Sequence, residues 1–126
     1  MTKILCVDDD ADGMASRKEV LESAGHQVWQ ALSPAEALRI LQIEAIELAI
    51  VDYYLVNTNG LTLAADMKRL YPSLAIIVLS GFGQLPGEAV GIANSWILKG
   101  SGPRELLGAV RKIMTEKDRL ATKTET

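Results

Sequence analysis

Four short apolar runs, Ile4–Val7, Leu48–Val51, Leu74–Leu79 and Trp96–Leu98, constrain the fold of this chain most. None alternates apolar with polar residues. Continuous runs of this length suit strands buried on both faces, as in a parallel sheet covered by helices. A fifth run, His26–Ala31, is more polar and suits a sheet edge. It follows Ala24-Gly25, a helix stop.

Helical patterns separate the runs. One spans Met14–Ala24. A second opens at Ser33-Pro34-Ala35-Glu36, where Ser33 caps, Pro34 takes the first helical position and Glu36 closes a capping box. A third follows Asn59-Gly60, places Leu63, Met67 and Leu70 on one stripe, and ends at Tyr71-Pro72. A fourth, Leu85–Ala93, is short and interrupted by Gly87 and Gly91. The fifth starts near Gly102-Pro103, carries Leu106, Val110 and Ile113 on one stripe, and runs to about Lys117. Strand and helix alternate five times, which predicts an α/β fold: a doubly wound parallel sheet with right-handed crossovers. At 126 residues the chain reads as one domain over 1–120 with a flexible polar tail at 121–126.

The net charge of −3 gives no support to binding of nucleic acid or an anionic membrane. No apolar run approaches the roughly 18 residues of a membrane span. The single cysteine, Cys6, excludes an internal disulfide and, with no signal peptide in view, predicts a cytoplasmic setting and a buried inert thiol. The only histidine, His26, is read as a surface residue at a turn. Arg111, Lys112, Lys117 and Arg119 are read as a solvated basic side of the last helix.

The acids are uneven. Asp8, Asp9, Asp10 and Asp12 fall within five residues. In an open parallel sheet, ligands bind beyond the carboxyl ends of the strands. Asp8, Asp9 and Asp10 follow Ile4–Val7, Asp52 follows Leu48–Val51, Ser80 and Gly81 follow Leu74–Leu79, and Lys99 follows Trp96–Leu98. If the first and third strands are neighbours, at least three carboxylates share one rim. Two like charges about 4 Å apart repel by roughly 4 kcal/mol at an effective dielectric of 20. Such a rim calls for cations: Lys99, and a divalent ion on oxygen ligands, for which Mg²⁺ is the natural choice. A carboxylate, a hydroxyl, a lysine and Mg²⁺ suit the handling of a phosphoryl group. Asp10 and Asp12 also read as helix-start residues.

The stretches Lys3-Ile-Leu-Cys-Val-Asp-Asp-Asp, Val51-Asp52-Tyr-Tyr-Leu-Val-Asn-Thr-Asn-Gly60, Val78-Leu-Ser80-Gly81 and Trp96-Ile-Leu-Lys99 together resemble the receiver domains of two-component response regulators. The resemblance covers about residues 3–117. It implies a (βα)5 flavodoxin-like sandwich with strand order 2-1-3-4-5. It implies that Asp52 accepts a phosphoryl group from a phosphohistidine on a histidine kinase or histidine phosphotransfer protein. It implies Mg²⁺ held by Asp9, Asp52 and the carbonyl of Tyr54, with Asp8 acting through water. Lys99 would pair with the phosphoryl oxygens, Ser80 would bond the phosphoryl group and move with it, and Trp96 would be the aromatic switch. Tyr54, Gly81 and Phe82 would flank the phosphoryl group, and the two aromatics would slow hydrolysis by an attacking water. The domain would be an autocatalytic acceptor, not a turnover enzyme. It would touch no nucleic acid directly and could form a homodimer. The cognate kinase and the output partner stay open.

Three departures from the family pattern stand out. Gly100 replaces the usual proline after the lysine; a cis bond before a non-proline costs about 3 kcal/mol, so Lys99–Gly100 is expected trans. Val56 replaces the usual proline four residues after the acceptor. The stretch from Ser80 to Lys99 is short, which shrinks the fourth helix. These departures motivate a second reading, a degenerate receiver used as a phosphorylation-independent interaction module. A third, a Mg²⁺-dependent phosphohydrolase, is disfavoured because Tyr-Tyr-Leu, not a second acid two residues on, follows Asp52. No output domain follows the fifth helix, so a stand-alone receiver and a piece of a larger regulator both stay open.

Overall fold

The computed structural model describes residues 2–81 and 91–125, the last five as backbone only. Each apolar run becomes a strand. The order is β1 (Lys3–Val7), α1 (Ala11–Ser23), β2 (Gln27–Ala31), α2 (Pro34–Ile43), β3 (Leu48–Asp52), β4 (Tyr54–Leu55), β5 (Thr58–Asn59), α3 (Gly60–Leu70), β6 (Ala75–Ser80), β7 (Ser95–Leu98) and α4 (Pro103–Glu125). The main sheet is parallel throughout, in the order β2-β1-β3-β6-β7. With the small β4–β5 hairpin set aside, this is the expected 2-1-3-4-5.

The strands lack alternation because both faces are covered. Leu5, Val7, Ala49, Val51, Ile76 and Val78 point toward α2 and α3, where Ala37, Leu41, Leu63, Ala64 and Met67 meet them. Ile4, Cys6, Leu48, Ile50, Ile77 and Leu79 face α1 and α4, against Met14, Leu21, Leu106 and Val110. Each fully buried large aliphatic side chain contributes roughly 1.5–3 kcal/mol. The all-buried β3 and β6 are therefore the most firmly held strands.

The helix starts follow the capping signals. Ser33 Oγ accepts the Glu36 amide at 3.2 Å with Pro34 at the first helical position. Asp10 Oδ1 accepts the Asp12 amide at 3.2 Å and caps α1, which begins three residues earlier than its apolar pattern. Asn59 Oδ1 accepts the Thr62 amide at 2.8 Å and caps α3.

Several details differ from expectation. Leu70 is 50% exposed, because it lies in the last turn of α3 and the contact with the sheet is filled by Leu63, Ala64 and Met67. The last helix continues past Lys117 to Glu125, so the polar segment expected as a tail is helical through that residue. Arg119 and Glu116 pair at 2.6 Å, three residues apart, on its exposed side. Lys117 is not merely solvated: its Nζ donates to the Glu47 carbonyl at 3.0 Å. His26 is partly buried and accepts the Thr2 amide at Nδ1, 3.3 Å away. The predicted fourth helix falls mostly on residues 82–90, outside the described residues. Its expected last residues, 91–93, are not helical, and Gly91 has φ +88°, outside the right-handed helical region. The β4–β5 hairpin was not foreseen. It turns through Val56-Asn57, with Asn57 at φ +67°, a conformation asparagine tolerates.

Candidate functional site

Because β1, β3, β6 and β7 run parallel, the residues that end them share one rim. β1 delivers Asp8 and Asp9, β3 ends on Asp52, β6 ends on Ser80, and Lys99 follows β7. One carboxylate oxygen from each of Asp8, Asp9 and Asp52 lies within 4.8 Å of the other two. Asp8 is fully buried and Asp52 is 2% exposed, whereas Asp9 is open to solvent. The predicted juxtaposition is therefore present.

The cations converge on the two buried acids. Lys99 Nζ donates to Asp52 Oδ2 at 3.0 Å and stands 3.7 Å from Asp8 Oδ2. Asp8 Oδ1 accepts the Asp10 amide at 2.9 Å, and Asp8 Oδ2 accepts Nη2 of Arg17. Burial alone would push the Asp8 carboxyl up. The Asp10 amide and the charges of Arg17 and Lys99 outweigh it and hold Asp8 below the usual aspartate value. Asp52 goes the other way. Burial lifts its carboxyl above the ordinary value; the Lys99 hydrogen bond opposes that lift and the Asp8 charge reinforces it.

The second Asp52 oxygen, Oδ1, is buried and has no hydrogen-bond partner among the described residues. Buried polar atoms are almost always satisfied, and a bare carboxylate oxygen marks a place where a cation or donor is supplied from outside. Three converging carboxylates, all-oxygen donors and this orphaned atom fit Mg²⁺.

The backbone around the acids is tied down. The Tyr53 amide bonds the Leu79 carbonyl at 2.7 Å, continuing the β3–β6 pairing past Asp52. The Lys99 amide bonds the Ser80 carbonyl at 2.6 Å, which sets the Lys99 side chain beside Asp52. All described peptide bonds are trans, including Lys99–Gly100, and Gly100 takes φ +92°, which proline cannot adopt. Ser80 is fully buried at its strand end. Trp96 is half-buried in β7, its ring 5.5 Å from that of Tyr53. Tyr53 in turn meets Tyr54 edge-on at 5.2 Å. Tyr54 is 52% exposed at the mouth of the rim and Gly81 is exposed beside Ser80. Phe82 lies outside the described residues.

A family model for the response regulator receiver domain matches residues 4–111. The chain belongs to this family. As a receiver domain it has wide company. It is 30% identical over 125 residues to the aerobic respiration control protein ArcA of Escherichia coli K12, covering 97% of this chain and 52% of ArcA. It is 34% identical over 83 residues to the transcriptional regulatory protein GlrR of the same strain, covering 66% of this chain and 19% of GlrR. The chain thus spans about half the length of ArcA and far less of GlrR. Among solved structures, a CheY-like receiver domain from Methanospirillum hungatei superposes with a TM-score of 0.86 at 29% identity, covering 94% of this chain and 98% of that one. The response regulator TrrA of Thermotoga maritima, crystallised with Mg²⁺-BeF, superposes with a TM-score of 0.82 at 25% identity, covering 89% and 98%. Receiver domains are signalling domains of two-component systems. In this one no helix among the described residues is long and apolar enough to cross a membrane.

Two residues of the site escaped the sequence reading. Arg17 sits two turns into α1 and reaches back to Asp8; nothing in its spacing distinguishes it from the solvated charges Lys18 and Glu19. Gly60 enters the sequence reading only as the start of the third helix and the end of the Asp52 stretch. A Cβ there would stand 2.2 Å from the Asp52 carbonyl oxygen, so α3 starts hard against the end of β3.

Proposed function

We propose that this receiver domain is a phosphoacceptor switch in which Asp52 takes a phosphoryl group from a phosphohistidine. The observation that carries the reading is the state of Asp52: buried, with one oxygen on Lys99 and the other unpartnered, beside two further carboxylates. A carboxylate oxygen of Asp52 attacks phosphorus, the P–N bond to the partner imidazole breaks, and an O–P bond forms. Asp9, Asp52 and the Tyr54 carbonyl would hold Mg²⁺ directly and Asp8 through water. Bound there, Mg²⁺ neutralises the charge gathering on the phosphoryl oxygens. Lys99 has reach to follow a phosphoryl oxygen, since its ammonium already spans Asp8 and Asp52. Ser80 would bond the phosphoryl group, and Trp96 would repack against Tyr53 as it moves. Tyr54, with Gly81 and Phe82, would border the phosphoryl group, and Tyr54 would obstruct an attacking water. The donor would be a histidine kinase or histidine phosphotransfer protein, and the altered surface would engage an output partner or a second copy.

The test is incubation with acetyl phosphate and Mg²⁺, read by intact-protein mass. We expect a gain of one phosphoryl group, lost in Asp52→Asn and in EDTA, with a shorter phosphoryl lifetime in Tyr54→Asn. No gain in mass and no Mg²⁺ binding would refute the reading and favour a phosphorylation-independent module.

A further inference from the structure

The function proposed above gives Arg17 no task, yet Arg17 is built into the acidic rim. Its side chain is only 15% exposed and bonds Asp8 Oδ2. Asp8 is thereby engaged at both oxygens, Oδ1 by the Asp10 amide and Oδ2 by Arg17 with Lys99 nearby. Of the three carboxylates, the most buried is the one already neutralised by a fixed cation. A guanidinium cannot shed its charge, so this neutralisation is permanent as long as the side chain stays in place.

The local sequence makes room for it. Gly13 lies one turn before Arg17 on the same face of α1. A Cβ at Gly13 would stand 3.0 Å from Asp10 Oδ2, a tight contact, and 3.9 Å from Arg17 Nη1, an ordinary one. Beside the rim a groove of about 220 Å³ is lined by Gly13, Arg17, Leu98, Lys99 and Gly100. Arg17 both bonds Asp8 and lines this groove.

We propose that Arg17 is the resident counter-ion of the acidic pocket, holding Asp8 in the metal-free protein and competing with Mg²⁺ for the site. This rests on the Mg²⁺ reading above. The argument is electrostatic. Without metal, the cations that offset the buried Asp8 and Asp52 among the described residues are Lys99 and Arg17. When a divalent ion enters, the guanidinium becomes a like charge a few ångströms away, and its presence opposes binding. Arg17 therefore stabilises the empty pocket and sets how much Mg²⁺ is needed to fill it.

The test measures Mg²⁺ binding, by tryptophan fluorescence and calorimetry, and thermal stability in EDTA, for wild type, Arg17→Leu and Arg17→Lys. Arg17→Leu should bind Mg²⁺ about 10-fold more tightly or better, since a like charge near a divalent ion is removed from a weakly screened site. It should also melt lower in EDTA, with the gap to wild type closing in saturating Mg²⁺. Arg17→Lys, which keeps the charge, should stay near the wild-type Mg²⁺ affinity. If Arg17→Leu does not fold in EDTA, Arg17→Gln carries the same prediction, because it keeps a donor and drops the charge. A purely structural arginine would give the opposite sign, weaker Mg²⁺ binding once removed. Equal or weaker binding in Arg17→Leu and Arg17→Gln, with wild type binding normally, would overturn the competition and leave the phosphoacceptor reading intact. Absence of Mg²⁺ binding in every variant would overturn both.

Discussion

Gly60→Ala and Gly108→Ala should move stability in opposite directions, although both place alanine in a helix. Alanine is favoured over glycine in helices by roughly 0.5–1 kcal/mol, partly through the unfolded chain. At Gly108, inside α4, an added Cβ meets nothing within 4 Å, so that gain stands alone. At Gly60 the added Cβ lies 2.2 Å from the Asp52 oxygen, 2.8 Å from the Asp52 carbonyl carbon and 2.9 Å from Tyr53 Cα. Ordinary contacts begin near 3.5 Å, so α3 must retreat from β3 by roughly 1 Å. The obstacle is backbone, with no flexible side-chain tip to yield. The retreat also stretches the 2.6 Å bond from the Gly60 amide to the Tyr53 carbonyl. Overpacking of this kind costs about 1–3 kcal/mol, and rigid neighbours put it at the upper end. Net of the helix gain, Gly60→Ala should lose about 2 kcal/mol. An unfolding entropy of about 2.1 cal/mol/K per residue over 126 residues turns that into a Tm lower by about 7 °C. Gly108→Ala should gain a few tenths to 1 kcal/mol. Urea and thermal unfolding in EDTA measure both, and a Mg²⁺ titration of Gly60→Ala should show weaker binding because Asp52 and Tyr53 shift together. A Gly60→Ala protein as stable as wild type, with unchanged Mg²⁺ affinity, would refute the close-approach argument.

Three further outcomes concern the rim and the loop after Lys99. Asp52 has a raised carboxyl, so its ionised form costs the folded state stability at neutral pH, and that cost fades as pH falls through its folded value toward the ordinary one near 3.9. Asp52→Asn should therefore melt higher than wild type in EDTA at pH 7, with the gain gone below about pH 4; no gain at pH 7 would contradict it. Asp8 has a lowered carboxyl, so its stabilisation is complete above the ordinary value and lost as pH falls through the folded one, and Asp8→Asn should lower the Tm at pH 7. Gly100→Pro, which installs the residue usual in relatives, should destabilise by 1 kcal/mol or more, because the φ of +92° is closed to proline; denaturation midpoints check it.

What was legible in the sequence is what depends on neighbours along the chain. Leu48-Ala-Ile-Val and Leu74–Leu79 read as buried strands because nothing in them could face water, and Asp52 and Ser80 after them fell on one rim because parallel strands share their carboxyl ends. Ser33, Pro34 and Glu36 announced α2 because a cap is a local bond. Arg17 stayed hidden because a long side chain reports its partner only when the sheet has brought Asp8 under α1. Gly60 stayed half-hidden for the same reason: its backbone is ordinary, and only the approach of Asp52 makes a side chain impossible there. Leu70 matched the helical stripe but fell in a last turn that overhangs the sheet. The hairpin at Tyr54–Asn59 had a signal in Asn57, an asparagine in a two-residue turn.

The distribution of burial also says which parts of the rim can respond to a change of charge. Asp52 ends a strand whose five residues are all buried, flanked by β1 and β6 and with the Tyr53 amide fixed to Leu79. Moving Asp52 would require moving the centre of both hydrophobic layers at once. β7 is different: it is an edge strand, half-buried at Ser95 and Trp96 and exposed at Leu98. Lys99 beyond it is 37% exposed, and two positive-φ glycines, Gly100 and Gly102, follow before α4. A group added to Asp52 must therefore be accommodated by its surroundings, not by Asp52 itself. The less deeply packed groups near Asp52 lie on the β7 side, at Lys99 and Trp96. The ring of Trp96 meets that of Tyr53, the residue after Asp52, at 5.5 Å. A change of charge at the buried acids would therefore reach the β7 edge first, because β3 and β6 are buried along their whole length.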